Sequence, residues 1–515
     1  MIDRLGSLPP ASRASLRQFS VPLEKGPELP QDSVTIGSSG VSFSPTLTKP
    51  TSGNLIDVLT SSMNSIPSAR FYVFGATGDL VSKRAVRDSL VHLAEEGRLN
   101  PEQHTLVLMG SKPSSGAAYL DKFRQGDADS KPISQTGFDK FKALTVLQEP
   151  DASLLGVNLS KPEDFQSLKQ DVGHQDAVFM GAVPPKSYKA LLENMKASGL
   201  SEPGYPGGFR RIVLEKPFGE DSQASRELAQ IVERDFQPGQ VLLIDHFLGY
   251  PGMLQMLQFR ASPEVDEALN SKYVERVEVK LLETIRSNDR PYFRDTGILK
   301  DMVQNHAMQI LSTLAMDIPT AISGDNLRQS RESLVKSVEV DKGSVVRGQF
   351  EGFNDPAQGA PVGAPASQAE TYVSFDLKVK APRWEGVAFH LVNAKGVEQK
   401  RSGADVHLRS LPQALATRLG VEADQSAVMR FTINGKPKIE VEVAGQTLSI
   451  PLDPRIVDQP AYSNLLPNAI LGETALFATP GEAEAGWRVA DEVEAAWQGK
   501  PMVSYKPGTA ANQVG

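Results

Sequence analysis

Three short segments gather side chains able to move a proton or hold an anion. Lys300-Asp301-Met302-Val303-Gln304-Asn305-His306 carries an imidazole, the group best suited to take a proton near neutral pH. The apolar positions Leu299, Met302, Val303, Ile310 and Leu314 predict a helix there, and His306 shares their face. That pattern leaves two readings open, a general base or a satisfied core histidine. In Leu243-Ile244-Asp245-His246-Phe247-Leu248-Gly249 an acid and an imidazole end an apolar run. Neighbouring strand residues point to opposite sides, so Asp245 and His246 are expected to meet different partners, or to be plain strand-end caps. Glu215-Lys216-Pro217-Phe218-Gly219 follows Ile212-Val213-Leu214, which sets Lys216 at the carboxyl end of a strand. Open α/β sheets bind ligands at that edge; a solvated lysine before a proline turn is the other reading.

A fourth segment, Gly75-Ala76-Thr77-Gly78-Asp79-Leu80, follows the apolar run Arg70-Phe71-Tyr72-Val73-Phe74 and opens into a helical pattern. Strand, glycine turn and helix in that order suit a dinucleotide, because the glycines admit a close backbone approach and the helix start offers unpaired N–H groups to a pyrophosphate. The spacing is shorter than the usual Gly-x-Gly-x-x-Gly fingerprint, and a plain turn is the competing reading.

These segments need a scaffold, and the pattern supplies one. Strands are expected at 71–74, 105–109, 177–182, 211–214 and 241–244, alternating with helices near 79–97, 187–197 and 223–234. That alternation predicts a doubly wound parallel sheet with helices on both faces. Beyond it, strands at 274–282, 372–379, 387–392, 427–433 and 439–443 follow without regular helices, which predicts a larger α+β domain with a mainly antiparallel sheet. Residues 1–66, rich in Ser, Pro and Gly, are expected to be a loosely ordered extension. The expected division is 1–66, a nucleotide-binding domain over 67–245, and a substrate-binding and oligomerisation domain over 246–515.

Composition narrows the function classes. With 515 residues, 40% of them hydrophobic and 23% charged, the chain can bury more than one core. A net charge of −8 argues against nonspecific nucleic-acid binding. No apolar run is long enough to span a membrane. The absence of cysteine excludes disulfides, thiolate metal sites and cysteine nucleophiles, and no metal is expected. The first residues, Met1-Ile2-Asp3-Arg4-Leu5-Gly6, lack a basic region followed by an apolar one, so a cytoplasmic location is expected.

In order along the chain, the segments at 75–80, Val183-Pro184-Pro185, 215–219, 244–249 and 301–306 resemble the glucose-6-phosphate dehydrogenase family, with weaker echoes at 347–350, 370–373 and 384–387. The resemblance implies a Rossmann domain that binds NADP, with NAD as the other candidate, and oxidation of a sugar phosphate at its anomeric carbon to a lactone. It implies that His306 is the base, that Asp245 orients it, and that Lys216 contacts both sugar and cofactor. Glu283 and Asp301 would hold sugar hydroxyls, His246 the phosphate, and Lys395 and Lys400 would add basic substrate contacts. Gly75, Ala76, Thr77, Gly78, Asp79, Leu80, Ser111, Lys112, Pro184 and Lys216 would hold the cofactor. A homodimer or homotetramer is implied as well.

Two departures stand out. The family usually reads Arg-Ile-Asp-His-Tyr-Leu-Gly-Lys where this chain has Leu243-Ile244-Asp245-His246-Phe247-Leu248-Gly249-Tyr250. Phe247 lacks a hydroxyl and Tyr250 replaces a cation, so a phosphate would lose a charge-assisted bond worth about 1.5–3 kcal/mol unless Lys395 and Lys400 compensate. A different or unphosphorylated sugar, or a catalytically silent nucleotide-binding homologue, are the alternatives this raises. On the cofactor side, Gly110-Ser111-Lys112-Pro113 stands where the family commonly has Gly-x-Ala-Arg. The absence of an acidic residue there favours NADP over NAD.

Overall fold

The computed structural model describes residues 52–127, 130, 132–149 and 151–514. The expected loose extension over 1–66 therefore lies mostly outside the described residues, and residues 52–66 depart from it. Ser52–Leu59 is a helix, Ser61–Met63 a 3-10 turn, and Leu55, Ile56, Leu59 and Ile66 are buried. The spacing of Leu55, Ile56 and Leu59 is a one-turn apolar stripe, too short to register among the surrounding Ser and Pro. The turn is tied down by Ser61 Oγ donating to Asn468 Oδ1 at 2.9 Å and by Arg98 donating to the Ser62 carbonyl at 2.6 Å.

The first sheet has seven strands: β1 (Ala69–Phe74), β2 (His104–Gly110), β3 (Ser114–Ser115), β4 (Ser153–Gly156), β5 (Ala177–Gly181), β6 (Arg210–Glu215) and β7 (Val241–Ile244). Their order is β3-β4-β2-β1-β5-β6-β7, parallel except for the β3/β4 edge pair. Along β1, Phe71 and Val73 enter one core while Tyr72 and Phe74 enter another, so both faces of the sheet are buried. Each such side chain contributes about 1.5–3 kcal/mol of burial. The chain builds outward from β1 through β2 to β4, then returns to β5 on the other side of β1. That reversal opens a crevice at the carboxyl ends of β1 and β5, the switch point where doubly wound sheets take ligands. The single helix expected over 79–97 is two, Asp79–Ser82 and Ala85–Glu95, because Arg84 leaves the helical region (φ −122°, ψ −145°) while the Lys83 carbonyl accepts from the Ser130 hydroxyl.

The second sheet contains β8 (Val274–Glu283), β9 (Val338–Val340), β10 (Val346–Phe350), β11 (Tyr372–Val379), β12 (Ala388–Lys395), β13 (Arg401–Leu408), β14 (Ala427–Thr432), β15 (Lys438–Val443), β16 (Gln446–Ser449) and β17 (Val503–Tyr505). Its order is β16-β15-β14-β13-β8-β12-β11-β10-β17, with β9 beside β11. Only β8/β12 and β10/β17 run parallel, so the sheet is mainly antiparallel as expected. The C-terminal part of the chain packs back on the first sheet: Ala478 N–H donates to Leu243 O at 2.9 Å, and Trp487 Nε1 donates to Phe218 O at 3.1 Å. A capping box between Thr479 and Glu482 starts the helix Pro480–Trp497 that carries Trp487. Among the described residues no helix is long and apolar enough to cross a membrane.

Candidate active site

Asp245 follows β7 directly and caps the 3-10 turn His246–Gly249, its Oδ1 accepting from Phe247 N–H at 2.9 Å. The same Oδ1 lies 2.6 Å from His306 Nδ1. His306 is 1% exposed and sits on a π-helical segment, Leu299–Ala307, that runs on into the helix Met308–Ala315. π-Helical turns are rare and concentrate at functional sites. The segment begins after a kink at Gly297 (φ +70°), where a Cβ would lie 2.4 Å from Glu370 Oε1. Glu370 Oε1 in turn accepts from Leu299 N–H at 2.9 Å, and the Glu370 carbonyl from Ile298 N–H at 2.9 Å.

Burial disfavours charge on both members of the His306–Asp245 pair. In Asp245 the charge and hydrogen bond of His306 outweigh burial, and its carboxyl is held below the ordinary range. In His306 burial wins over Asp245, and the imidazole falls below 6.5. The pair therefore rests as a carboxylate and a neutral imidazole. A carboxylate on Nδ1 calls for the proton there, which leaves the Nε2 lone pair free. His246 stands edge-on to His306, ring centroids 4.5 Å apart, and the ligand atoms of Asp245, His246 and His306 all lie within 4.8 Å of one another. Burial and the neighbouring His306 push His246 down to about 3.

A second cluster adjoins the first. Lys216, just past the end of β6, donates to Asp301 Oδ1 and to the Asp301 carbonyl, each at 2.9 Å. Burial opposes the charge on Lys216, but Asp301 more than restores it and raises the ammonium to about 12. Asp301 also feels Lys395, 3.8 Å from its Oδ2, and its carboxyl lies far below the usual range despite burial. Lys395 and Glu283 are register partners at the ends of parallel β12 and β8, and the lysine hydrogen-bonds the glutamate directly. The ends of two sheets and one helix thus meet in a row of alternating charge.

The dinucleotide turn lies at the switch point. Gly75 has φ +73°, and a Cβ there would fall 2.2 Å from Ala182 O, in the loop that leads to Pro184 after β5. Gly78 N–H donates to Gly75 O at 3.0 Å, and Ala76 is fully buried. Ser111 and Lys112 are exposed just beyond the end of β2. The cradle requires glycine and is open at the sheet edge, which suits a dinucleotide phosphate.

The comparison with known families decides the matter. The description "Glucose-6-phosphate dehydrogenase, C-terminal domain" matches residues 257–514, and "Glucose-6-phosphate dehydrogenase, NAD binding domain" matches residues 72–253. The chain belongs to the glucose-6-phosphate dehydrogenase family. Among its relatives, the glucose-6-phosphate 1-dehydrogenase of Chlamydia muridarum is 27% identical over 84% of this chain and 90% of its own length. That of Bacillus subtilis is 25% identical over 87% of this chain and 95% of its own. A cytoplasmic Arabidopsis thaliana relative is 27% identical over 82% and 84%. Two solved glucose-6-phosphate dehydrogenases share the fold. One, from Mycobacterium avium, has TM-score 0.70 and 24% identity over 86% of this chain and 95% of its own; the other, in complex with glucose 6-phosphate, has TM-score 0.72 and 21% identity over 87% and 96%.

For this family member, seven residues singled out from the sequence converge: Lys216, Asp245, His246, Glu283, Asp301, His306 and Lys395. Lys400 does not join them. It is exposed between β12 and β13, and no hydrogen bond or ion pair links it to the cluster among the described residues. Its expected substrate role rested on spacing alone, and the strand ends at Lys395 before the chain turns outward. Phe247, expected to lack a phosphate-binding hydroxyl, is 2% exposed, with its ring stacked on His306. Glu215, Tyr462 and Glu370 were not singled out as site residues. Glu215 is buried one residue before Lys216 and accepts from Tyr462 OH at 3.0 Å. Strand alternation at the end of β6 marked it as pointing away from Lys216.

Proposed function

We propose that the protein oxidises the C1 hydroxyl of glucose 6-phosphate to 6-phosphogluconolactone with NADP as hydride acceptor. The observation that carries this reading is the buried His306–Asp245 pair, 2.6 Å apart, beside the Lys216–Asp301 contact at the carboxyl edge of the nucleotide-binding sheet. His306 Nε2 takes the proton of the C1 hydroxyl. Asp245 holds Nδ1–H and stabilises the imidazolium that forms. Glu283 and Asp301 accept from sugar hydroxyls, while Lys216 and Lys395 hold the Asp301 carboxyl ionised. As Nε2 takes the proton, the C1=O bond forms and the C1–H bond breaks, its hydrogen leaving with the electron pair to the hydride acceptor that a bound nicotinamide would supply.

The residues that would hold the cofactor are the Gly75–Leu80 turn, Pro184, Ser111, Lys112 and Lys216. The cationic Lys112, with no acid beside it, favours the 2′-phosphate of NADP. Its relatives from Chlamydia muridarum and Bacillus subtilis are named glucose-6-phosphate 1-dehydrogenases, which supports the same substrate. We place the enzyme in the cytoplasm, as its Arabidopsis relative is named, and as a homodimer or homotetramer built through the second sheet.

The test is a cofactor-reduction assay with glucose 6-phosphate and glucose, each with NADP and NAD. The expected result is reduction with glucose 6-phosphate and NADP at least about tenfold more efficient than any other combination. Calorimetric binding of NADP without turnover on either sugar would favour a silent homologue instead.

A further inference from the structure

Beside the His306–Asp245 pair lies a small cavity of about 30 Å³, lined among others by Glu215, Lys216, Asp245, Gln304, Asn305 and Gln309. It is large enough for one water molecule. Three buried acceptors on residues of its wall, Glu215 Oε1, Asp245 Oδ2 and Gln309 Oε1, have no hydrogen-bond partner among the described residues. Buried polar oxygens without a donor are costly, and one water donates only two hydrogens to three acceptors, so one more hydrogen is needed around this cavity.

We propose that Glu215 is a positioning residue for the catalytic pair: it carries a proton in the folded protein and, through one water in this cavity, presents it to Asp245 Oδ2, holding Oδ1 on His306. The two carboxyl groups share one low-dielectric cavity, so only one can ionise readily. Asp245 lies 2.6 Å from His306, which becomes cationic during the reaction, and accepts from Phe247 N–H, whereas at Glu215 burial outweighs the favourable effects of Lys216 and Tyr462. The other Glu215 oxygen, Oε2, already accepts from Tyr462 OH at 3.0 Å, and this leaves Oε1 to carry the hydrogen. Burial raises the Glu215 carboxyl to about 8, against the lowering effects of Tyr462 and Lys216. The titratable groups around it are Lys216 on its own strand end, Asp245 after β7, Tyr188 bonded to its backbone carbonyl at 2.6 Å, Tyr462, and Glu482 across the cavity, itself paired with Arg331 at 3.1 Å. Ionising Glu215 would place a second negative charge beside Asp245 and remove the donor from Oδ2.

The kinetic part of this proposal rests on the dehydrogenase reading; the spectroscopic part does not. In Glu215→Leu, kcat for glucose 6-phosphate should fall by about tenfold or more with KM for sugar and cofactor within about twofold. The wild type should lose activity as the pH rises past about 8, and Glu215→Gln, which keeps a neutral donor, should restore kcat at pH 7 to within about threefold of wild type and show no such loss. A Glu215→Leu enzyme with wild-type kcat and pH profile, or a Gln variant as impaired as Leu, overturns the proposal. Should these variants fail to fold, infrared spectroscopy of the wild-type protein with isotope-labelled glutamate decides it. A buried protonated carboxyl at pH 7 that ionises between pH 7 and 9 and shifts in Asp245→Asn supports it. Full ionisation of every glutamate at pH 7 overturns it, whatever the protein's activity.

Discussion

The Phe247 ring lies against the face of the His306 imidazole, centroids 4.2 Å apart and 24° from parallel. Phe247 is therefore a wall for the base, and Asp245, two residues earlier, is its anchor; both come from the single turn that follows β7. One short segment fixes the imidazole in its plane and along its Nδ1 axis.

Replacing Phe247 by Ala should cost about 3–5 kcal/mol of stability, the usual cost of emptying a buried aromatic site. Urea unfolding reads this directly. Phe247→Leu keeps most of the volume but not the flat surface, and should lower kcat several-fold with little change in KM. Equal kcat in wild type and Phe247→Leu would mean that the stacking does not position the base.

His306→Asn should reduce kcat by about 10²–10⁴-fold, the range expected for a general base. Because burial depresses His306 below 6.5, the imidazole stays neutral as the pH drops through that value. The acid limb of kcat/KM should accordingly lie below pH 6.5. Asp245→Asn removes the charge that raises His306, so the residual activity should show a limb at still lower pH. An acid limb above 6.5 in the wild type would contradict the assignment.

Tyr250 is half-buried, edge-on to His246 at 5.6 Å, and burial raises its phenol to about 12, so it is neutral under assay conditions. Restoring a cation with Tyr250→Lys should lower the KM for glucose 6-phosphate by about tenfold, with the KM for NADP unchanged. An unchanged KM would place the phosphate elsewhere.

Glu370 links the strand end at β11 to the start of the π-helical segment. Burial raises its carboxyl to about 7 from an ordinary 4.5, against its backbone hydrogen bonds. A raised carboxyl contributes stability that is complete below the unfolded value of 4.5 and lost as the pH rises through 7. Glu370→Gln removes that dependence. Its urea midpoint relative to wild type should thus be more favourable at pH 8 than at pH 5. A pH-independent difference would show that Glu370 does not titrate between these values.

Much of this was legible before any coordinates, for identifiable reasons. The runs Ile212–Leu214 and Val241–Ile244 are continuously apolar because both sheet faces are buried, and these two end where charged residues begin; that located Lys216 and Asp245 at the ligand edge. His306 was readable as a face-sharing histidine on a helix, but the π geometry was not, since it depends on the Gly297 kink and on Glu370, 71 residues beyond the Leu299 N–H it accepts from. The pairing of Lys395 with Glu283 follows from the β8/β12 register, and a parallel pair of strands separated by more than a hundred residues leaves no local trace. At Phe247 the departure from the family pattern drew attention to the missing hydroxyl alone. The ring itself, buried against His306, has a packing role that the sequence does not express. Lys400 lies past the end of β12, where strand register no longer fixes a position.

The most direct test uses glucose 6-phosphate deuterated at C1, NADP, and the wild-type and His306→Asn proteins, with the nicotinamide product examined by mass spectrometry. The account predicts that wild type transfers the C1 deuterium to the nicotinamide and releases the lactone, and that His306→Asn does so at least about 10²-fold more slowly. Absence of deuterium transfer by wild type, or transfer by the variant at the wild-type rate, would contradict it.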